Sequence, residues 1–441
     1  MTDELFPGFE FEEGLYSPPV DAGRLGNGFP ITIGRRSSND LVLHHASASG
    51  AHARLVREET EGGVVYAIED LGSTNGTRVE GERVRWQRLN NGDLVHFGDV
   101  GLRFGLLPAQ WWEESRRDYL ATALPWPLAV PFHRVQAAAD AGSRAAALYR
   151  LCEEMTRLVV ATGAAVAAAN GGADSALRWA LTRLREPSPT DWVGAASAVV
   201  RAGAHRGWLA HLPGLAASTA GSTPGTEGAW EALTQWVRST GNTTGEWVFH
   251  EQEAALQILE PGVTELLLSW TFLHEGRLIW IDRESDHEMT FAIHVAHGAR
   301  PAIVLRDVRI HGQLPGVRVP YWILSAAGGA ACLAPWYRVG GDEDTPVVSW
   351  EGCPDDDQPS YRSAASGEVV SFADEGTRQI PMGVAGTYQW SGFRDYLGAD
   401  RSAGAVVDLN TSPDVWSRIL GVAAEGRATD SFEIPGPTTL L

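Results

Sequence analysis

The sequence predicts a multidomain protein with an N-terminal all-β sandwich, a central helical bundle and a C-terminal β-rich α+β domain. Three observations carry this expectation. The 441 residues exceed what one core holds, since a single domain takes roughly 100–200. The texture changes near residues 25, 108 and 245, from short alternating runs to helical spacing and back to short runs. Finally, 44% hydrophobic against 20% charged residues is the composition of chains that bury packed cores.

Residues 1–24 hold six acidic groups and one arginine, with Pro18 and Pro19 and no sustained period, and read as a flexible acidic arm. Between 25 and 107 the runs 31–33, 41–43, 53–56, 64–68, 77–79, 94–97 and 102–104 are separated by Gly and Asn turns, the pattern of a sandwich. Residues 108–135 carry Trp111, Trp112, Trp126 and four prolines, so they read as a connector that is no single regular element and packs on a neighbour. The helical region is 136–240: Leu148, Leu151, Cys152, Met155, Leu158 and Val159 recur at helical spacing behind Ser143 as a cap. Further helices are expected at 176–186 before Pro187, at 190–205 capped by Thr190, and at 227–238, with 218–226 as a Ser/Thr/Gly loop.

A β-rich α+β domain is expected over 245–375. Its elements are a helix at 251–259, a hairpin of 266–273 with 277–282, then strands at 290–295, 302–305 and 368–372. The uncharged stretch 319–337 is long enough to span a bilayer, but Pro320, Gly328, Gly329 and Pro335 interrupt it, and it reads as a hairpin of 321–324 with 331–333. Residues 376–441 form a C-terminal extension, with a helix near 413–424 and a disordered tail.

Charge and composition exclude several functions. With 35 basic and 55 acidic residues the net charge is −20, the wrong sign for coating nucleic acid or anionic lipid, so neither nucleic acid nor membrane is expected as a partner. All 35 basic residues are arginine. Without lysine there is no standard P-loop, no kinase strand lysine and no Schiff-base lysine. Cys152, Cys332 and Cys353 are far apart, which indicates neither a disulfide framework nor a zinc site, and the acidic start of the chain has no secretory character, so the expected location is cytoplasmic. Asp282, Asp286, His287, His294, His297 and His311 fall on adjacent expected strands. His294 and His297, three apart, would sit on opposite faces of a strand, so no metal, cofactor or catalytic residue is assigned.

Between residues 33 and 77 four motifs follow one another: Ile33-Gly34-Arg35, Asn39-Asp40-Leu41-Val42-Leu43, Ser49-Gly50-Ala51-His52, and Asp70-Leu71-Gly72-Ser73-Thr74-Asn75-Gly76-Thr77. In order and spacing they resemble the forkhead-associated (FHA) domain, a bacterial signalling module that reads phosphothreonine. The resemblance covers some 85 residues. It implies that Arg35 and Ser49 bind the phosphate, that Thr74 lies beside it, that Asn75 holds the peptide backbone, and that Gly34, His52 and Gly76 support the loop. The chemistry is apt, because a phosphate dianion calls for a planar multi-donor cation and neutral donors on rigid turns. One position departs from the family: Gly50 stands where arginine or asparagine is usual. Arg36 and Arg54 are candidates to compensate, and Gly50→Arg is expected to tighten binding.

Residues 125–170, and 260–370 with Tyr361-Arg362-Ser363, resemble more weakly the helical and β-rich modules joined to bacterial signalling domains. The resulting expectation is a non-enzymatic adaptor that docks on a Thr-phosphorylated protein, a Ser/Thr protein kinase or its substrate. Its rivals are an FHA-targeted enzyme with an active site in 245–441, or a structural subunit of a larger conflict- or defence-type assembly, to which the 17 tryptophans would contribute interface. Thr223, Thr226, Thr429, Thr438 and Thr439 are expected in mobile segments, where phosphorylation would make them internal ligands.

Overall fold

Alternation of apolar and polar residues produces the first fold unit directly: Ile31 and Ile33 are buried on either side of Thr32, as are Val95 and Phe97 around His96. The computed structural model describes residues 5–11, 30–36, 39–43, 45, 47–60, 63–169, 175–223, 225–240, 249–285, 290–299, 302–309, 320–323, 329–333, 336–340, 347–352, 360–364, 368–371 and 406–408. These residues fall into two units that divide between Leu120 and Ala121.

The first unit is a sandwich of two five-stranded sheets. One sheet has the order β3 (Leu41–Val42), β2 (Ile31–Gly34), β4 (Ala53–Thr60), β5 (Gly63–Asp70), β8 (Trp86–Leu89). The other runs β1 (Leu5–Phe11), β10 (Val100–Pro108), β9 (Leu94–Phe97), β6 (Thr77–Val79), β7 (Glu82–Val84). Ile31, Ile33, Leu55, Ile68, Val95, Phe97, Leu102 and Phe104 fill the space between them. The reading of 1–24 as a flexible arm is corrected over 5–11. That segment pairs antiparallel with β10, and Phe9 turns inward, with ring centroids 5.9 Å from Phe97 and 5.6 Å from Phe104. Its acidic residues concealed an edge strand, where Pro7 is tolerated because an edge leaves some backbone donors unused.

The 108–135 connector is two helices, α1 (Ala109–Ala123) and α2 (Trp126–Ala137), with Pro125 capping the second in extended conformation. In the second unit α2 is followed by α3 (Ala141–Ala169), α4 (Ser175–Thr182), α5 (Pro189–Arg206), α6 (Leu215–Thr219), α7 (Ala229–Thr240), α8 (Phe249–Ser269) and α9 (Thr271–Glu275). Ser143 is not the cap of α3: it donates to Asp140, whose carboxylate also accepts the Ser143 N–H. Thr190 likewise yields to Ser188, which forms a capping box with Asp191. The 266–273 strand is corrected to helix, since α8 and α9 run through it; a short apolar run with no flanking turn does not distinguish a buried helix from a strand. The hairpin instead joins β11 (Arg277–Ser285) to β12 (Thr290–Ala296).

Beyond it lie two sheets. The six-stranded one has the order β13 (Ile303–Arg309), β12, β11, β14 (Tyr321–Ile323), β15 (Gly329–Cys332), β20 (Val406–Asp408). The four-stranded one comprises β16 (Tyr337–Val339), β17 (Val347–Gly352), β18 (Ser360–Ser363) and β19 (Val369–Ser371). The interrupted apolar stretch is the antiparallel pair β14–β15, and no described helix is long and apolar enough to cross a membrane. A charged cluster ties α3 to the smaller sheet: Arg157, 4% exposed, pairs with Glu154 at 2.8 Å and with Glu351 at 3.0 Å. Glu351 also pairs with Arg362, and Ser349 donates to Glu154 at 2.8 Å. Apart from β20, residues 372–441, including the helix expected at 413–424, lie outside the described residues.

Candidate functional site

Backbone bonds lay two loop segments side by side. Arg35 N–H donates to Ser49 O at 2.8 Å, Arg36 N–H to Gly50 O at 3.1 Å, and His52 N–H to Ile33 O at 2.8 Å. This approach requires glycine at 34. A Cβ there would stand 2.7 Å from Gly50 O, 2.8 Å from Ser49 O and 2.9 Å from His52 N. Asn39 laces the segments further, its Nδ2 donating to Arg36 O at 2.8 Å and Gly50 O at 2.7 Å.

His52 is fully buried and holds the loop from within. Its Nδ1 accepts the Ser49 N–H at 3.0 Å, so Nε2 carries the proton and donates to Gly76 O at 3.3 Å. Burial lowers its pKa, against the opposing pull of the Gly76 carbonyl and the Asp70 charge. One neutral ring thereby joins the Ser49 loop to the Thr74–Gly76 turn, 24 residues further along the chain.

That turn is organised by Asp70. Its carboxylate accepts from Gly72 N and Ser73 N at 2.9 Å each, from Ser73 Oγ at 2.5 Å and from Thr77 Oγ1 at 2.7 Å. Burial works to raise the Asp70 pKa, but these bonds outweigh it and set the value at about 2. At the tip Thr74 N–H donates to Ser49 Oγ at 2.9 Å, and the Ser49 and Thr74 hydroxyls lie 3.4 Å apart. Exposed Asn75 is steadied by a 2.8 Å bond to Ser47 O, while Gly76 takes the left-handed conformation (φ +80°) beneath the Arg83 side chain.

The structure therefore gathers Arg35, Ser49, Thr74 and Asn75 at one end of the sandwich, with Gly34, His52 and Gly76 beneath them. Among the described residues the exposed Arg35 and Arg36 guanidiniums have no ion-pair or hydrogen-bond partner. The two compensating candidates differ: Arg36 lies across Gly50, whereas Arg54 faces Glu69 across the β4–β5 ladder and binds it at 2.7 Å. The arrangement offers a cation and hydroxyl donors on rigid turns. Sequence reasoning passed over Asp70 as the organiser of the turn, Asn39 as the lace and Ser47 as the acceptor for Asn75. Asp70 and Asn39 belong to the four motifs between residues 33 and 77, and an Asp two residues before Gly-Ser is the signal for such a turn.

Elsewhere, His294 Nε2 lies 3.0 Å from Asp282 Oδ2 and stacks on Trp280 at 4.7 Å, while His297 is buried at a bridge to Pro125. Among the described residues no three His, Cys, Asp or Glu side chains are placed to hold a metal. Asp286, His287 and His311 lie outside them. Thr226 corrects the expectation of a mobile loop: it is 1% exposed and donates to Thr223 O at 2.7 Å. Thr429, Thr438 and Thr439 lie outside the described residues.

The FHA domain family matches residues 31–98. An ABC transporter ATP-binding/permease protein of Mycobacterium tuberculosis is 42% identical over 85 residues, covering 19% of this chain and 9% of the transporter. The transcriptional regulatory protein EmbR of Mycobacterium bovis is 40% identical over 85 residues, covering 18% of this chain and 21% of EmbR. FhaB, an FHA domain-containing protein of Mycobacterium tuberculosis, is 38% identical over 74 residues, covering 17% of this chain and 45% of FhaB. The similarity thus spans well under half of the first two relatives. Among solved structures, Mycobacterium tuberculosis EmbR in complex with a low affinity phosphopeptide is 30% identical, with a TM-score of 0.20, covering 24% of this chain and 25% of that one.

Proposed function

We propose that the FHA domain of residues 31–98 reads phosphothreonine and docks this chain on a Thr-phosphorylated protein, a Ser/Thr kinase or one of its substrates. One observation carries the reading: Arg35, exposed and bonded through its backbone N–H to Ser49 O, adjoins a Ser49–Thr74 hydroxyl pair that is locked by His52 and Asp70. A phosphate monoester brings about −1.5 to −2 charge and three acceptor oxygens, which a guanidinium and fixed hydroxyl and amide donors match. The FHA family match over residues 31–98 supports the same class of ligand.

We read the remainder as the adaptor part of a cytoplasmic signalling protein, with the second unit presenting an acidic, non-enzymatic surface to a further component. The net charge of −20 supports this, because residues 25–107 are nearly neutral, with nine arginines against ten acids. The test is a calorimetric titration of the full chain with a phosphothreonine peptide and its unphosphorylated twin. Micromolar affinity, roughly −8 kcal/mol, is expected for the first alone, and Arg35→Ala should remove most of it. Equal binding of the two peptides would refute the reading.

A further inference from the structure

Gly50 departs from its family, and its backbone gives no reason to be glycine, since it is absent from the positions with positive φ. The reason is space. A Cβ on residue 50 would stand 2.7 Å from Arg36 Nε, 3.1 Å from Arg36 Cγ and 3.2 Å from Arg36 Cδ. The Arg36 side chain lies where a side chain at 50 would begin.

The backbone holds it there. Arg36 N–H donates to Gly50 O at 3.1 Å, and the Asn39 amide bridges Arg36 O and Gly50 O. Because Arg35 N–H pairs in the same way with Ser49 O, the backbone sets Arg35 and Arg36 alongside Ser49 and Gly50. Arg54, the other nearby candidate, is engaged by Glu69 at 2.7 Å.

We propose that Arg36 is a second phosphate-binding cation, reaching across Gly50 to supply the donor that the family otherwise places at position 50. This inference rests on the phosphothreonine reading and assigns that site a residue outside the family's motif. Removing a charge-assisted hydrogen bond of this kind weakens binding by about ten-fold or more.

The test titrates the full chain with the phosphothreonine peptide. Arg36→Ala should weaken binding by about ten-fold or more, Arg54→Ala should leave it within about two-fold, and adding Gly50→Arg to Arg36→Ala should restore affinity. Contrary to the expectation from the sequence, Gly50→Arg alone should give no gain, because its Cβ displaces Arg36. The inference is overturned if Arg36→Ala binds within about two-fold of the parent while Arg35→Ala does not bind, or if Gly50→Arg alone tightens binding about ten-fold. Failure of the underlying reading looks different: the parent chain would then bind the phosphorylated and unphosphorylated peptides alike.

Discussion

His52→Ala should loosen the loop end of the sandwich more than any surface change there, and the structure sets the size of the effect. The substitution orphans the Ser49 N–H that donates to Nδ1 at 3.0 Å and the Gly76 carbonyl bound by Nε2 at 3.3 Å. Leaving one buried donor unmet costs about 1–3 kcal/mol. The ring also meets Phe97 edge-on, with centroids 5.7 Å apart, a contact worth about 0.5–1.5 kcal/mol beyond its area. Together these suggest a loss of about 3 kcal/mol, or roughly a hundred-fold in local opening. Hydrogen exchange of the full chain reads this directly at the amides of Ser49 and Leu71, the latter bound to His52 O at 2.9 Å. His52→Asn, whose amide reproduces Nδ1, should retain more protection at Ser49 than His52→Gln, which reproduces Nε2. A change below about three-fold in His52→Ala, under 1 kcal/mol, would refute the argument that the ring couples the two loops.

Three further predictions concern stability. Asp70 has a folded pKa of about 2 against an ordinary 3.8, so its contribution is full above pH 3.8 and is lost as pH falls towards 2; discounted for its partial exposure this is about 1 kcal/mol. Asp70→Asn should flatten the acid limb of the sandwich's exchange profile over that interval, and an unaltered profile would count against the carboxylate network. Phe9→Ala should cost about 3–5 kcal/mol in the first unit, seen as faster exchange in β10, and unchanged protection there would mean that 5–11 is not a strand of the sandwich. Arg157→Met should leave the buried Glu154 carboxylate without its cation while Glu351 keeps Arg362, lowering stability by about 3–5 kcal/mol. Chemical denaturation followed through tryptophan fluorescence reports it, since Arg157 lies 5.5 Å over the Trp192 ring, and a shift below about 1 kcal/mol would contradict the buried cluster.

What was legible in the sequence is what local chemistry determines. Gly34, Asn75-Gly76 and the alternation through Ile31-Thr32-Ile33 each specify a turn or a strand from a few neighbouring residues, so the sandwich and the loops that meet at one end of it could be read in advance. Strand β1 could not, because its Pro7, Gly8 and acidic Glu10 argue locally against a strand, and its partner β10 begins 95 residues after β1 does, at Val100. The Arg157 cluster was hidden for a similar reason: Glu154 and Arg157 form an ordinary i,i+3 pair, and only the approach of Glu351, 194 residues on, makes it a buried one. The Arg36–Gly50 relation was half visible, as an absent side chain and a spare arginine; only the folded loops place one over the other.

The central claim, that this site grips a phosphate dianion, is tested most directly by following the phosphorus resonance of a bound phosphothreonine peptide through a pH titration of the full chain. Free phosphothreonine exchanges its second proton near pH 6. Guanidinium and hydroxyl donors that favour the dianion by about 1.5–3 kcal/mol lower that midpoint by about one to two units on binding. The account predicts this downward shift in the parent chain and its loss in Arg35→Ala. A peptide that binds while its phosphate still titrates near its free value would contradict the account, because the phosphate would then lie outside the Arg35–Ser49–Thr74 cradle.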